Sequence, residues 1–133
     1  MKISNGKEYI EFVVGQIFNY DNNHKDFELC INANVSFMNI KYFTYSSLFA
    51  FKELYKNINN HYKSLDGSFK IDNFSYENDF DIKMEFDKLG HINIEMNIKS
   101  NNEHSNKCSL RFYSDQTFIS NFLKELKDFI EQN

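Results

Sequence analysis

The stretch Phe80-Asp81-Ile82-Lys83-Met84-Glu85-Phe86 is separated by Asp87-Lys88-Leu89-Gly90 from His91-Ile92-Asn93-Ile94-Glu95-Met96-Asn97-Ile98-Lys99, and both halves alternate apolar and polar residues. Strict alternation sends every second side chain to one face of a strand, so each half reads as a β-strand with one buried face. Joined by a short turn containing glycine, the two make a hairpin. Its register follows from the core. A two-residue loop at Leu89-Gly90 would set Asp87 opposite Ile92 and bring charge onto the buried face. A three-residue loop, Lys88-Leu89-Gly90, sets Phe86 opposite Ile92 and is the arrangement expected, with Gly90 in the left-handed conformation. On the solvent side this register opposes Lys83 to Glu95, Asp79 to Lys99 and Asp87 to His91, pairs worth about 0.2–1 kcal/mol each.

Working outward, Ile10, Phe12, Val14, Phe18 and Tyr20 recur at even positions of Tyr9 to Tyr20, a half-buried strand in which Gly15 marks a bulge or bend. After the polar loop 21–26, Phe27, Leu29, Ile31, Ala33, Val35 and Phe37 alternate in a second strand, and Ile40, Tyr42, Phe43 and Tyr45 suggest a short third. Ser46 or Ser47 is placed to cap a helix, because a serine oxygen accepts orphan amide protons of the first turn. Leu48, Phe51, Leu54, Tyr55, Ile58 and Tyr62 share one face of that helix, which should end near Leu65 before Asp66-Gly67. Phe69 and Ile71 begin another strand. Beyond the hairpin and the polar segment 100–107, Cys108, Leu110 and Phe112 form the inward face of a last strand. Asp115 or Thr117 then caps a closing helix with Phe118, Ile119, Phe122, Leu123, Leu126, Phe129 and Ile130 on its apolar face. The expected fold is α+β: an antiparallel, meander-like sheet of about six to seven strands, with one central and one C-terminal helix packed on one face. Residues 1–133 are read as a single domain, with no repeat and no linker.

Composition narrows the function. The chain has 133 residues, 41% of them hydrophobic and 26% charged, a profile that excludes disordered, collagen-like and membrane-spanning classes. Fifteen Lys+Arg against 19 Asp+Glu give a formal net charge of -4, which argues against direct nucleic-acid binding and favours a cationic partner. Met1 to Glu8 has no apolar run of the kind an export signal needs, so the expected location is cytoplasmic. Cys30 and Cys108 are the two cysteines and are expected to be reduced. Cys30 falls out of phase with Leu29 and Ile31, towards solvent, with nothing beside it to activate a thiolate. Proline and tryptophan are absent, so 15 Phe and 8 Tyr must supply much of the core volume.

No residue pattern names a reaction. His24, His61, His91 and His104 have no metal-ligand spacing, neither cysteine belongs to a CxxC, and four glycines offer no phosphate loop. No catalytic, cofactor or metal residue is therefore assigned. Asp87 and His91, with Glu85 nearby, form the one pair suited to acid–base work, but the end of a hairpin is a poor pocket. An acidic cluster remains. Asp79, Asp81, Glu85, Asp87 and Glu95, with Glu77 adjacent, should share the exposed face of the hairpin. Such a face either only solubilises the protein or docks a basic protein partner, whose association the charge would accelerate.

The order of short motifs resembles the WapI-type immunity proteins of bacterial polymorphic-toxin systems. The motifs are Tyr9-Ile10-Glu11-Phe12, Leu48-x-x-Phe51-x-x-Leu54, Gly90-His91-Ile92 and Ser114-Asp115-Gln116-Thr117-Phe118. The resemblance implies a non-catalytic cytoplasmic antitoxin that binds and neutralises a cognate toxin domain, a basic nuclease being one possibility. Two other readings stand beside it. One is an assembly subunit pairing through an exposed sheet edge in Ile40 to Tyr45. The other is a small hydrolase-like enzyme using His91 and Asp87.

Overall fold

The computed structural model describes residues 1–21, 24–100 and 106–133. His104, Asn22-Asn23 of the first loop and most of the segment 100–107 lie outside them. Four strands open the chain: β1 (Lys2–Ser4), β2 (Tyr9–Asp21), β3 (His24–Val35) and β4 (Met38–Ser47). Helix α1 (Leu48–Ser64) follows, then β5 (Ser68–Ile71), β6 (Phe80–Phe86), β7 (His91–Lys99), β8 (Lys107–Asp115) and α2 (Gln116–Gln132). All strand pairs are antiparallel between sequence neighbours, in two sheets of order β1-β2-β3-β4 and β5-β6-β7-β8. The α+β class and the meander are as expected, but one sheet of six to seven strands is corrected to two sheets of four. The two halves share a topology although no sequence repeat relates them. Each half runs through four strands into a 17-residue helix whose N-cap is the residue that ends the last strand, Ser47 or Asp115.

The caps are side chains satisfying amide protons that have no partner within the helix. Ser47 Oγ accepts from Ala50 N–H at 3.1 Å, and Asp115 Oδ1 from Phe118 N–H at 3.1 Å. Helix α1 stops where Leu65 turns left-handed and its N–H returns to the His61 carbonyl at 2.8 Å, just before Gly67.

The two sheets and two helices bury their apolar faces in one continuous core. Phe12 on β2 is its junction. Its ring meets Phe51 of α1, Phe122 of α2, Phe80 of β6 and Phe74 in the segment before β6, with centroids 5.6–6.1 Å apart. In the second sheet the register of the hairpin is the one derived from the core, with Phe86 opposite Ile92, Lys83 opposite Glu95 and Gly90 at φ 84°.

The first sheet departs from simple alternation. An extra residue between Val14 and Ile17 makes a bulge at Gly15-Gln16, after which Ile17 rather than Phe18 follows the inward phase opposite buried Phe27. Tyr20 is accordingly exposed. Phe37, expected inward, is 92% exposed in the turn between Val35 and Met38. On β4 the inward residues are Thr44 and Ser46, while Phe43 and Tyr45 face solvent.

Candidate functional site

Along β6 and β7, Asp81, Lys83 and Glu85 oppose Asn97, Glu95 and Asn93 on the solvent face, and β8 adds Ser109, Arg111 and Tyr113 beside them. Four of the five expected acidic residues occupy this face or its turn, and each is engaged within the protein. Asn97 Nδ2 donates to Asp81 at 2.8 Å. Lys83 pairs with Glu85 at 3.0 Å and Arg111 with Glu95 at 3.2 Å. Asp87 binds its own turn, accepting the amides of Leu89 and His91 at 2.9 Å each. Lys70 on β5 pairs with Asp72 at 3.1 Å; that hydrogen bond, followed by the nearby Asp81 charge, raises its pKa. The face is a mixed-charge lattice rather than an acidic field. His91 Nδ1 lies 3.5 Å from Asp87 Oδ2, and both side chains are more than half exposed at the hairpin end.

Asp79 is the correction. Its side chain is 2% exposed and points away from the hairpin's solvent face, into the junction with β4. Tyr42, Thr44 and Ser75 all donate hydroxyl hydrogens to its carboxylate, Thr44 at 3.1 and 3.2 Å to the two oxygens. Beside it Ser46 donates to the Phe74 carbonyl at 2.6 Å, and the Tyr76 amide to the Tyr45 carbonyl at 3.1 Å. The polar inward residues of β4 thus have a purpose the alternation rule does not capture: they fasten the edge of the first sheet to the segment that enters the second. Burial, then the hydrogen bond to Asp79, pushes the Tyr42 phenol well above its ordinary range. The opposite edge is tied too, since Ser114 on β8 donates to the Ser4 carbonyl at 2.6 Å and Asn5 to the Tyr113 carbonyl at 3.0 Å.

The solvent face of the first sheet has the reverse character. Val13, Cys30 and Phe43 are register partners and form one row across β2, β3 and β4, with Glu28 and Tyr45 paired in the next row. Val13, Phe43 and Tyr45 are 44%, 69% and 49% exposed. Between these rows lies an open cavity of about 310 Å³ walled by Val13, Gly15, Glu28, Cys30, Phe43 and Tyr45. Sequence reading placed Cys30 towards solvent, as found, but gave no sign that aromatic side chains surround it. Among the described residues no three His, Cys, Asp or Glu side chains are grouped to hold a metal ion. Among the described residues, no helix is long and apolar enough to cross a membrane.

The model of the immunity protein WapI-like family matches residues 2–133, nearly the whole chain. The chain belongs to that family. No curated protein and no solved structure matches it. A WapI-like immunity protein implies a toxin protein as partner, so the surfaces of interest are those able to receive another protein. Among the described residues, the solvent sides of the two sheets are surfaces of contrasting character, charged and self-paired on the second sheet and aromatic on the first.

Proposed function

We propose that this protein neutralises a cognate bacterial toxin domain by binding it, in the cytoplasm and without catalysis, acting as one domain. The observation that carries this is the family match across residues 2–133. The binding is stoichiometric occlusion: the immunity protein covers the toxin's active site or its route to substrate, so inhibition needs shape and charge complementarity rather than chemistry. A basic nuclease is the favoured toxin class, because the chain carries a net charge of -4 and such charge steers a cationic partner to it. The partner surface includes either Asp81, Glu85, Asp87 and Glu95 on the second sheet or the aromatic face of the first.

The test is growth rescue: the toxin-like domain encoded beside this gene is expressed with and without the protein. Rescue accompanied by a co-purifying one-to-one complex is expected. Failure of the wild-type protein to rescue or to bind would overturn the reading, and turnover of any toxin substrate by the immunity protein alone would overturn its non-catalytic part.

A further inference from the structure

We propose that the toxin docks on the solvent face of the first sheet, and that the cavity beside Phe43 and Tyr45 receives an arginine side chain of the toxin, its guanidinium ending on Glu28. This deepens the immunity reading and rests on it for the identity of the partner.

Four observations converge on that occupant. The cavity, about 310 Å³, lies at the small end of ligand sites and suits a single long side chain rather than a cofactor. Its walls are mostly apolar, which suits the stem of such a side chain, and it contains one carboxylate to meet a charged end. That carboxylate is available. Glu28 accepts the Gln16 amide at 3.3 Å, and no ion pair joins it to a cation of the described residues. On the second sheet, by contrast, Glu85 and Glu95 already hold a lysine and an arginine. Lastly, Phe43 and Tyr45 stand beside Glu28 as exposed rings, and a planar guanidinium is the cation that both stacks on a ring and meets a carboxylate through two parallel hydrogen bonds. Lys41 Nζ lies 5.5 Å from the centre of the Phe43 ring, a loose contact that an incoming guanidinium would replace.

The bulge builds the site. A Cβ on Gly15 would lie 2.9 Å from Glu28 Oε2, so any other residue there would displace the carboxylate. The aromatic character also extends past Tyr45 into a second cavity of about 310 Å³ lined by Phe18, Tyr20, Asp26 and Tyr76. Exposed aromatics grouped around a charged anchor are the composition of binding hot spots, and a solubilising surface has no use for them.

The test uses the full-length protein and the toxin-like domain encoded beside its gene. Affinity is measured by calorimetry for the wild type, Glu28→Gln, Phe43→Ser and the triple variant D81K/E85K/E95K. Glu28→Gln and Phe43→Ser should each weaken binding at least tenfold and the triple variant less than threefold. Both single changes lie on the surface; if Phe43→Ser lowers the melting temperature, the near-isosteric Glu28→Gln decides alone. Cys30 gives an independent footprint from the middle of the same face. Its alkylation by iodoacetamide should slow at least tenfold in the complex while that of Cys108, on the second sheet, stays unchanged. Binding of Glu28→Gln within twofold of wild type, with Cys30 unprotected, overturns the inference and leaves the immunity reading standing. Protection of Cys30 that rises with protein concentration without toxin also overturns it, in favour of a second copy of the chain. If the wild type neither binds nor rescues, the immunity reading fails, and titration with Nα-acetyl-arginine amide followed by NMR decides the cavity. Saturable shifts at Val13, Cys30 and Phe43 that vanish in Glu28→Gln uphold it; their absence refutes it.

Discussion

The two sheets have the same strand order and each leads into a 17-residue helix, yet their solvent faces are built in opposite ways. The second sheet spends its outward positions on carboxylates, cations and amides that satisfy one another, so its charge is largely consumed within the protein. On the first sheet the outward positions include Val13, Phe43 and Tyr45, with Glu28 unmatched by a cation among the described residues. A surface that neutralises itself gains little by meeting a partner, because each pair must be broken or desolvated first. Apolar rings gain from being covered, and a carboxylate that holds no cation can take one from a partner without first giving up another. The architecture is repeated; the chemistry of the outer face is not.

The largest effect that would sharpen this contrast compares two phenylalanines of the first sheet. Phe12→Ala removes the ring at which both sheets and both helices converge, and should cost about 3–5 kcal/mol. Phe43→Ala, on the outer face, should stay within about 0.5 kcal/mol. Urea unfolding at pH 7 measures both, and equal losses would break the assignment of inside and outside on this sheet.

Next comes a comparison of two carboxylates from the same acidic run. Asp79→Ala strands three hydroxyl donors in the junction between β4 and the second sheet, for a loss of about 1–3 kcal/mol. Glu85→Ala removes an exposed ion pair and should change stability by less than about 0.5 kcal/mol. Indistinguishable unfolding midpoints would mean that Asp79 does not fasten the sheets together.

The junction also has a pH signature. Tyr42 and Tyr76 hold their protons more tightly when folded than the ordinary tyrosine value near 10; burial first, then the hydrogen bonds to Asp79 and Asp26, raises Tyr42 and pushes Tyr76 up to about 12. A folded pKa above the unfolded one gives stability that is complete below pH 10 and is lost as pH rises from there through the folded values, because only the unfolded chain releases the protons. Unfolding free energy should therefore fall between pH 10 and 11, and the double variant Y42F/Y76F should flatten that fall. An unchanged slope in the double variant would exclude these phenols as its cause.

Much of the fold was legible because alternation, turn glycines and helix caps are local signals. The register of Phe80–Phe86 against His91–Lys99 followed from keeping Asp87 off the core, and both helix caps stood at serine or aspartate positions named from sequence. The division into two sheets was not legible, since nothing in one strand says which non-neighbour lies beside it, and the two halves repeat a topology without repeating residues. The outer face of the first sheet was hidden for a different reason. Apolar side chains are read as buried, whereas β4 turns Thr44 and Ser46 inward to serve Asp79 and the Phe74 carbonyl, which sends Phe43 and Tyr45 out. The bulge at Gly15-Gln16 then shifts the phase of β2, so Phe18 and Tyr20 depart from the even-position rule. The acidic run was legible as composition, but its pairing partners come from neighbouring strands, and the buried role of Asp79 comes from another sheet.

The smallest effect bears on whether the second sheet's face is truly self-satisfied. Arg111 joins Glu95 across β7 and β8 at 3.2 Å, with the arginine side chain 61% and the glutamate 27% exposed. An ion pair with that much solvent access is screened and should contribute about 0.2–1 kcal/mol of coupling in a double-mutant cycle of Arg111→Ala and Glu95→Ala. At 1 M salt, where the screening length falls to about 3 Å, most of the coupling should disappear. The sign matters more than the size. A positive, salt-sensitive coupling means that a partner docking there must first displace an existing contact, which favours the first sheet as the docking face. Zero coupling at low salt would leave Glu95 electrostatically available, and the second sheet would then compete on equal terms for a basic partner.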